Sequence, residues 1–142
     1  MSEGRIRPLA LALIRRGDEI LVEVGRDEVK NETFFRLLGG AIDFGELGAD
    51  ALRRELREEL GAEIAVERQL TTIENLFTWE GEPGNEIMLI YECRLTNDDL
   101  YTRDEWEAPE HTSHGVMVHK VSWKRLDELR GETFYPEAVL TM

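Results

Sequence analysis

The sequence predicts a mixed α/β domain of the α+β layered kind. Three observations lead there. Apolar runs with strand-like alternation flank the middle of the chain on both sides. One apolar stripe of helical period occupies residues 47–60. No internal repeat, low-complexity tract or linker interrupts the order of strands, helix and further strands. With 142 residues, 42% hydrophobic and 33% charged, the chain reads as one globular domain, residues 1–142, with room for a real core.

The elements follow in order. "IRPLALALIRRGDEILVEVGR" is two strands joined by a turn at Arg16-Gly17-Asp18, since Ile20, Val22 and Val24 alternate with Leu21 and Glu23. "FFRLLGG" is a short strand ending on two glycines. Ala49, Leu52, Leu56 and Leu60 then fall on one helical stripe, and Gly61 stands where a helix ends. "AEIAVERQLTTIENLFTWE" and "NEIMLIYECRL" are two strands separated by the turn "GEPGN". Residues 97–114 are polar, acidic and aperiodic, which predicts a long loop. "GVMVHKVSW" is a strand and "KRLDELRG" a short helix. "YPEAVL" begins a last helix with Pro136 at its first position.

Charge and cysteine usage exclude several function classes. The net charge of −13 argues against non-specific binding to nucleic acid or to an anionic membrane. It leaves room for a small anionic substrate, because a bound cation reverses the local sign. Cys93 is the one cysteine, so the expected setting is reducing and cytoplasmic, and the residue reads as a small core side chain. No apolar run reaches the ~18 residues of a membrane span. The opening "MSEGRIRPLALALIRRGDE" has too short an apolar run and no small-residue cleavage site for a signal peptide.

"RELREEL", residues 54–60, is the stretch that carries chemistry. At ~100° per residue, Glu59 lies roughly 65°, Glu55 roughly 105° and Glu58 roughly 165° from the centre of the apolar stripe, all on one side of it. Packed leucines therefore leave Glu59 and Glu55 along the edge of the layer, with Glu58 reaching back. A plain solvated face is centred opposite the stripe. Carboxylates so close need a positive partner: Lys, Arg, or a hard cation with oxygen ligands such as Mg²⁺. Opposite-charge pairs at i, i+4, such as Asp50–Arg54 and Arg54–Glu58, are the plainer account. They leave Glu55 without explanation, because its i+4 neighbour is Glu59.

The full spacing is Gly40, five residues, Glu46, seven residues, then Arg54-Glu55-Leu56-x-Glu58-Glu59-x-Gly61-Ala62. It closely resembles the Nudix box, G-x5-E-x7-R-E-U-x-E-E-x-G-U, where U is a bulky aliphatic. A chance match to its first eight fixed positions is on the order of one in 10⁵. Two positions depart from the pattern. Ala62 is smaller than the usual aliphatic, with Ile64 close by to fill the space, and Leu47 stands where Ser or Thr commonly caps the helix.

The resemblance implies an α/β/α sandwich with a mixed sheet and the Nudix helix at about residues 47–60. It implies Mg²⁺ as cofactor, with Mn²⁺ as substitute, and Glu55, Glu58 and Glu59 as metal ligands. Glu58 or Glu59 would assist the attacking water, Glu46 would hold Arg54 and orient the helix, and the backbone at Gly40 would approach metal or substrate. The implied activity is that of a Nudix-type pyrophosphohydrolase cleaving the diphosphate of a nucleoside diphosphate linked to another moiety. A homodimer is compatible with the sequence.

Outside the box, Arg36 is a candidate for substrate phosphates. Glu105, Glu107 and Glu110 are candidates for an added ligand or base. Phe77, Trp79 and Trp106 are rings that a base can stack on, and equally packing residues. His119 shares a strand face with Met117 and Val121 and reads as structural. Two rival functions remain: a nucleotide-sensing or protein-binding module, whose usual mark is a broken box, and an isopentenyl-diphosphate-type isomerase, which would want a reactive cysteine in a pocket.

Overall fold

The computed structural model describes residues 4–142, so residues 1–3 of the opening segment lie outside the described residues. β1 (Ile6–Arg16) and β2 (Glu19–Asp27) make the hairpin expected at Gly17-Asp18. β3 (Glu32–Arg36) and β4 (Leu38–Ala41) follow, then α1 (Gly48–Leu60). β5 (Ile64–Trp79), β6 (Glu82–Leu95), β7 (Glu105–Thr112) and β8 (Gly115–Arg125) come next, and α2 (Leu126–Leu129) and β9 (Phe134–Tyr135) close the chain. The architecture is mixed α/β with a mixed sheet. β5, β6, β1 and β4 are neighbours in that order, with β1 parallel to β6. β7, β8, β2, β3 and β9 form a second layer, which meets the first at the β1–β2 hairpin.

Helix α1 forms because its apolar positions are one turn apart and can be buried together. Leu52 and Leu56 are fully buried, together with Ala51. They share a cluster with Ala10, Ala12 and Leu38 from one layer and Leu21, Val121 and Trp123 from the other. Each buried leucine contributes about 2 kcal/mol. Ala62 and Ile64 are both buried in this cluster, so the small residue at 62 is accommodated with Ile64 beside it. The helix ends at Gly61, whose left-handed backbone (φ 62°) donates its N–H to the Arg57 carbonyl. A second cluster, with Leu9, Leu11, Leu13, Val22, Ile90 and Leu129, fills the opposite face of β1 and β2.

Four local expectations are corrected. "FFRLLGG" is two strands, because β3 pairs with β2 while β4 leaves to pair with β1. The turn between β5 and β6 is Glu80-Gly81 alone, both at positive φ, and most of "GEPGN" belongs to β6. Residues 97–114 are a 3₁₀ turn at Asp98–Thr102 followed by β7, which pairs along its length with β8. Its period is hidden because few of its side chains are buried. "YPEAVL" forms a 3₁₀ turn, Glu137–Thr141, with Pro136 as its N-cap. Among the described residues, no helix is long and apolar enough to cross a membrane.

Candidate active site

The site is assembled on the polar edge of α1. β4 runs beside this edge, with its Gly40 against the Glu55 side chain. A Cβ at Gly40 would lie 2.4 Å from the carboxyl carbon of Glu55, so any larger residue would displace that carboxylate.

Arg54 is the hub. Its Nε and Nη2 donate to the two oxygens of Glu46 at 2.8 and 2.9 Å, a bidentate pair. Nη2 also donates to the Ala41 carbonyl at 3.0 Å. Nη1 donates to Glu55 at 3.1 Å and to Glu58 at 3.3 Å. The guanidinium thus ties the loop before α1 and the end of β4 to the helix. Its hydrogen bonds hold the Glu46 carboxyl down at about 2, with the Asp43 backbone N–H helping. Glu46 in turn raises Arg54.

Glu59 has a different environment. It is 5% exposed, deeper than the layer edge where the helical spacing puts it, and its Oε1 has no hydrogen-bond partner among the described residues. Burial, then the charge of Glu23, pushes its carboxyl up to about 8 against the pull of Arg36 and His119. Burial also raises Glu55, opposed by Arg54. Glu59 faces a row built by β2, β3 and β8. His119 Nδ1 lies 2.7 Å from Glu23 Oε2, its Nε2 lies 2.8 Å from Glu110, and Arg36 donates to Glu23 at 3.0 Å. His119 Nδ1 is 3.8 Å from Glu59 Oε2. Burial pulls the imidazole pKa down, yet its bonds to Glu23 and Glu110 leave it raised.

Of the residues singled out in the sequence, Arg54, Glu55, Glu58 and Glu59 lie on α1, Glu46 joins them from the preceding loop through Arg54, and Gly40 stands against Glu55. Arg36 joins them through Glu23. Glu110 belongs to the same group, whereas Glu105 pairs with Lys120 at 3.4 Å and Glu107 is exposed. Sequence reasoning missed Glu23 and treated His119 as structural. The lone acid inside the apolar run "ILVEV" was the available signal for Glu23. Phe77 and Trp79 line a cavity of about 880 Å³ that also takes in Glu23 and Arg36; Trp106 packs against the α1 cluster. Cys93 is buried, and burial pushes its thiol up to about 12, which makes it unreactive.

The donor set suits a hard divalent cation. Glu55, Glu58 and Glu59 offer carboxylate oxygens, one of them without a protein partner. Ligand atoms of Glu23, Glu59 and His119 all lie within 4.8 Å of one another. His119 spends both ring nitrogens on Glu23 and Glu110, which leaves oxygens as the available donors.

The chain is similar to known proteins in sequence and in fold. Over 123 residues the chain is 29% identical to nucleoside triphosphatase NudI of Escherichia coli O81, covering 78% of this chain and 87% of that protein. It is 34% identical over 86 residues to nucleoside triphosphatase NudI of Salmonella paratyphi B. That match covers 52% of this chain and spans about three-fifths (61%) of the relative's length. A NUDIX hydrolase structure from Nitrosomonas europaea superimposes with a TM-score of 0.69 at 15% identity, covering 96% of this chain and 85% of that one, a likeness of fold. The NUDIX domain model matches residues 5–140, and with the box on α1 and its glycine against Glu55, the chain belongs to the NUDIX domain family.

Proposed function

We propose that the chain is a Mg²⁺-dependent pyrophosphohydrolase, an acid anhydride hydrolase that cleaves the diphosphate linkage of a nucleoside diphosphate linked to another moiety. Mn²⁺ would substitute for Mg²⁺. One observation carries the reading: a buried carboxylate with an unpartnered oxygen, Glu59, stands with Glu55 and Glu58 near an arginine-lined cavity. The nucleoside triphosphatases among its relatives support a nucleotide substrate.

Glu55, Glu58 and Glu59 would hold the cation. When bound, it neutralises the diphosphate and acidifies water. The residues of the chain do the rest. Glu46 fixes Arg54, and Arg54 fixes the edge of α1. Arg36, at the cavity wall, meets the phosphates. Glu59 or Glu58 takes the proton of the attacking water, whose oxygen bonds to one phosphorus as the bridging P–O bond breaks in line. The products are a nucleoside monophosphate and a phosphorylated remainder, or a nucleotide and phosphate.

A screen of nucleoside triphosphates, dinucleoside polyphosphates, nucleotide sugars and ADP-ribose with Mg²⁺ tests this. The readout is phosphate released with and without an added phosphatase. Turnover of at least one class, abolished by chelator, is expected. No turnover of any class, or turnover indifferent to chelator, overturns the reading.

A further inference from the structure

We infer that Glu86, together with Asn75, reads the edge of the nucleobase and selects a base that presents two adjacent N–H donors, as guanine does. The inference rests on the nucleotide-hydrolase reading above.

The register places Glu86 in a polar row across three strands. It pairs with Arg7 of β1 on one side and Asn75 of β5 on the other. All three line the cavity that also contains Arg36. Glu86 is 8% exposed, an unusual place for a carboxylate, and it interrupts the buried row that Met88 and Ile90 continue. Its Oε2 accepts from Arg7 Nη1 at 3.3 Å, and Asn75 stands directly opposite it in the strand register. A carboxylate has about four acceptor positions, so capacity is left over. Burial raises this carboxyl despite Arg7, Asn75 and Arg36, which marks an anion short of donors. A cross-strand ion pair alone does not account for it. Arg7 is half exposed, and an exposed arginine at this distance offsets little of the cost of burying its partner.

The cavity around Glu86 is walled by aromatic rings. Phe77 lies over Gly84, where a Cβ would come within 2.2 Å of the ring, and Phe34 lies over Gly25, where it would come within 2.4 Å. Trp79 and Tyr135 both meet Phe34 edge-on, at 5.5 and 5.6 Å between centroids. These rings are half-buried and held before any ligand arrives. A buried base edge is read by hydrogen bonds while its faces stack on such rings. Arg36 links this cavity to the carboxylates of α1. It bonds to Glu23, and its charge acts on both Glu59 and Glu86. With phosphates where Glu23 and Arg36 line the cavity, next to Glu59, the rest of a nucleotide extends into the cavity that Glu86 also lines.

The choice of base follows from acceptor chemistry. An ionised carboxylate only accepts. Uracil and thymine flank their single N–H with two carbonyls, which repel it. Adenine and cytosine set a ring acceptor beside their amino group. Hypoxanthine offers one N–H beside a C–H. Guanine alone among these sets N1–H beside an amino group, two donors for the free lone pairs of Glu86 and the amide oxygen of Asn75.

Guanosine and inosine differ by that amino group, and neither carries phosphate, so their binding needs no metal. Calorimetric titration of each into the full chain is expected to give guanosine at least ~10-fold tighter binding. Glu86→Gln, matched in shape, should reduce the preference below about threefold, with inosine affinity nearly unchanged. Equal binding of the two nucleosides by the wild type, or a preference that survives Glu86→Gln, overturns the inference. If that variant does not fold, Asn75→Ala decides: a weakened preference supports the subsite and an intact one refutes it. The substrate screen separates this from the function itself. A chain that hydrolyses nucleotides yet ignores the amino group keeps the hydrolase reading and loses the subsite. One that prefers guanosine yet hydrolyses nothing keeps the subsite and loses the reading.

Discussion

Glu59 concentrates the chemistry of the site. Its carboxyl is buried against Glu23 and held up near 8. Glu59→Gln keeps the length and the hydrogen-bonding groups but removes the charge, so turnover should fall at least ~10²-fold with the fold intact. Steady-state rates and circular dichroism check this; near-normal turnover would return Glu59 to a packing role. The same residue predicts a pH dependence. An unfolded glutamate releases its proton near 4.5, whereas folded Glu59 keeps it to about 8, with Glu23, Arg36, His119 and Glu55 facing it. In that window the native state holds more protons than the unfolded one. In chelator, stability therefore declines as pH rises from about 4.5 and levels off above about 8, by an amount on the order of a few kcal/mol. Denaturant melts of wild type and Glu59→Gln across this range should diverge with pH, the variant lacking the decline. Parallel curves would contradict it. The helix glutamates, Glu46 and Arg54 were legible in the sequence because they lie in one contiguous segment with a strict spacing. Glu23 and His119 were not, because they are 96 positions apart and meet only after β2 and β8 pair.

At the scale of elements, α1 was readable because its stripe, its glycine stop and its acidic edge agree. Its weak point was readable too. Leu47 is the N-cap, 74% exposed, and makes no side-chain cap bond. Leu47→Ser supplies an oxygen for an orphan N–H of the first turn and removes an exposed apolar side chain. It should stabilise the chain by about 0.5–1 kcal/mol without changing turnover, as a thermal melt will register. A melting point at or below that of the wild type would mean the first turn is already held by its surroundings. β7 was not readable. Its alternation is muted because it is an edge strand whose exposed positions hold Glu105, Glu107, Pro109 and His111 and whose inward ones include Glu110, turned to His119. Strand pairing also alters what this segment does. The β7 amides directed at β8 should exchange slowly without any nucleotide, whereas a mobile loop would exchange at once.

The whole molecule carries a net charge of −13, yet Arg5, Arg7, Arg26 and Arg36 gather around one cavity. The overall field repels an anionic substrate, and only a local reversal of sign admits it. Those four arginines, set against Glu23 and Glu86 of the same lining, leave a positive excess that supplies part of that reversal, and a cation held by Glu55, Glu58 and Glu59 would supply the rest. Such a cation binds the folded state alone, because the unfolded chain does not hold these carboxylates together. At a hundredfold excess over its dissociation constant it contributes ~2.7 kcal/mol. For a chain of this size that is a rise of roughly 5–10 °C in melting temperature. Any salt also relieves self-repulsion in so acidic a protein, so the comparison must be made at equal ionic strength, with Na⁺ against Mg²⁺. The specific part of the rise should be missing in Glu59→Gln, which in chelator above about pH 8, where wild-type Glu59 is charged, should melt above the wild type because one member of a repelling cluster is gone. If wild type and variant respond equally to Mg²⁺, the rise is general screening, and the carboxylates on the edge of α1 are not a cation site.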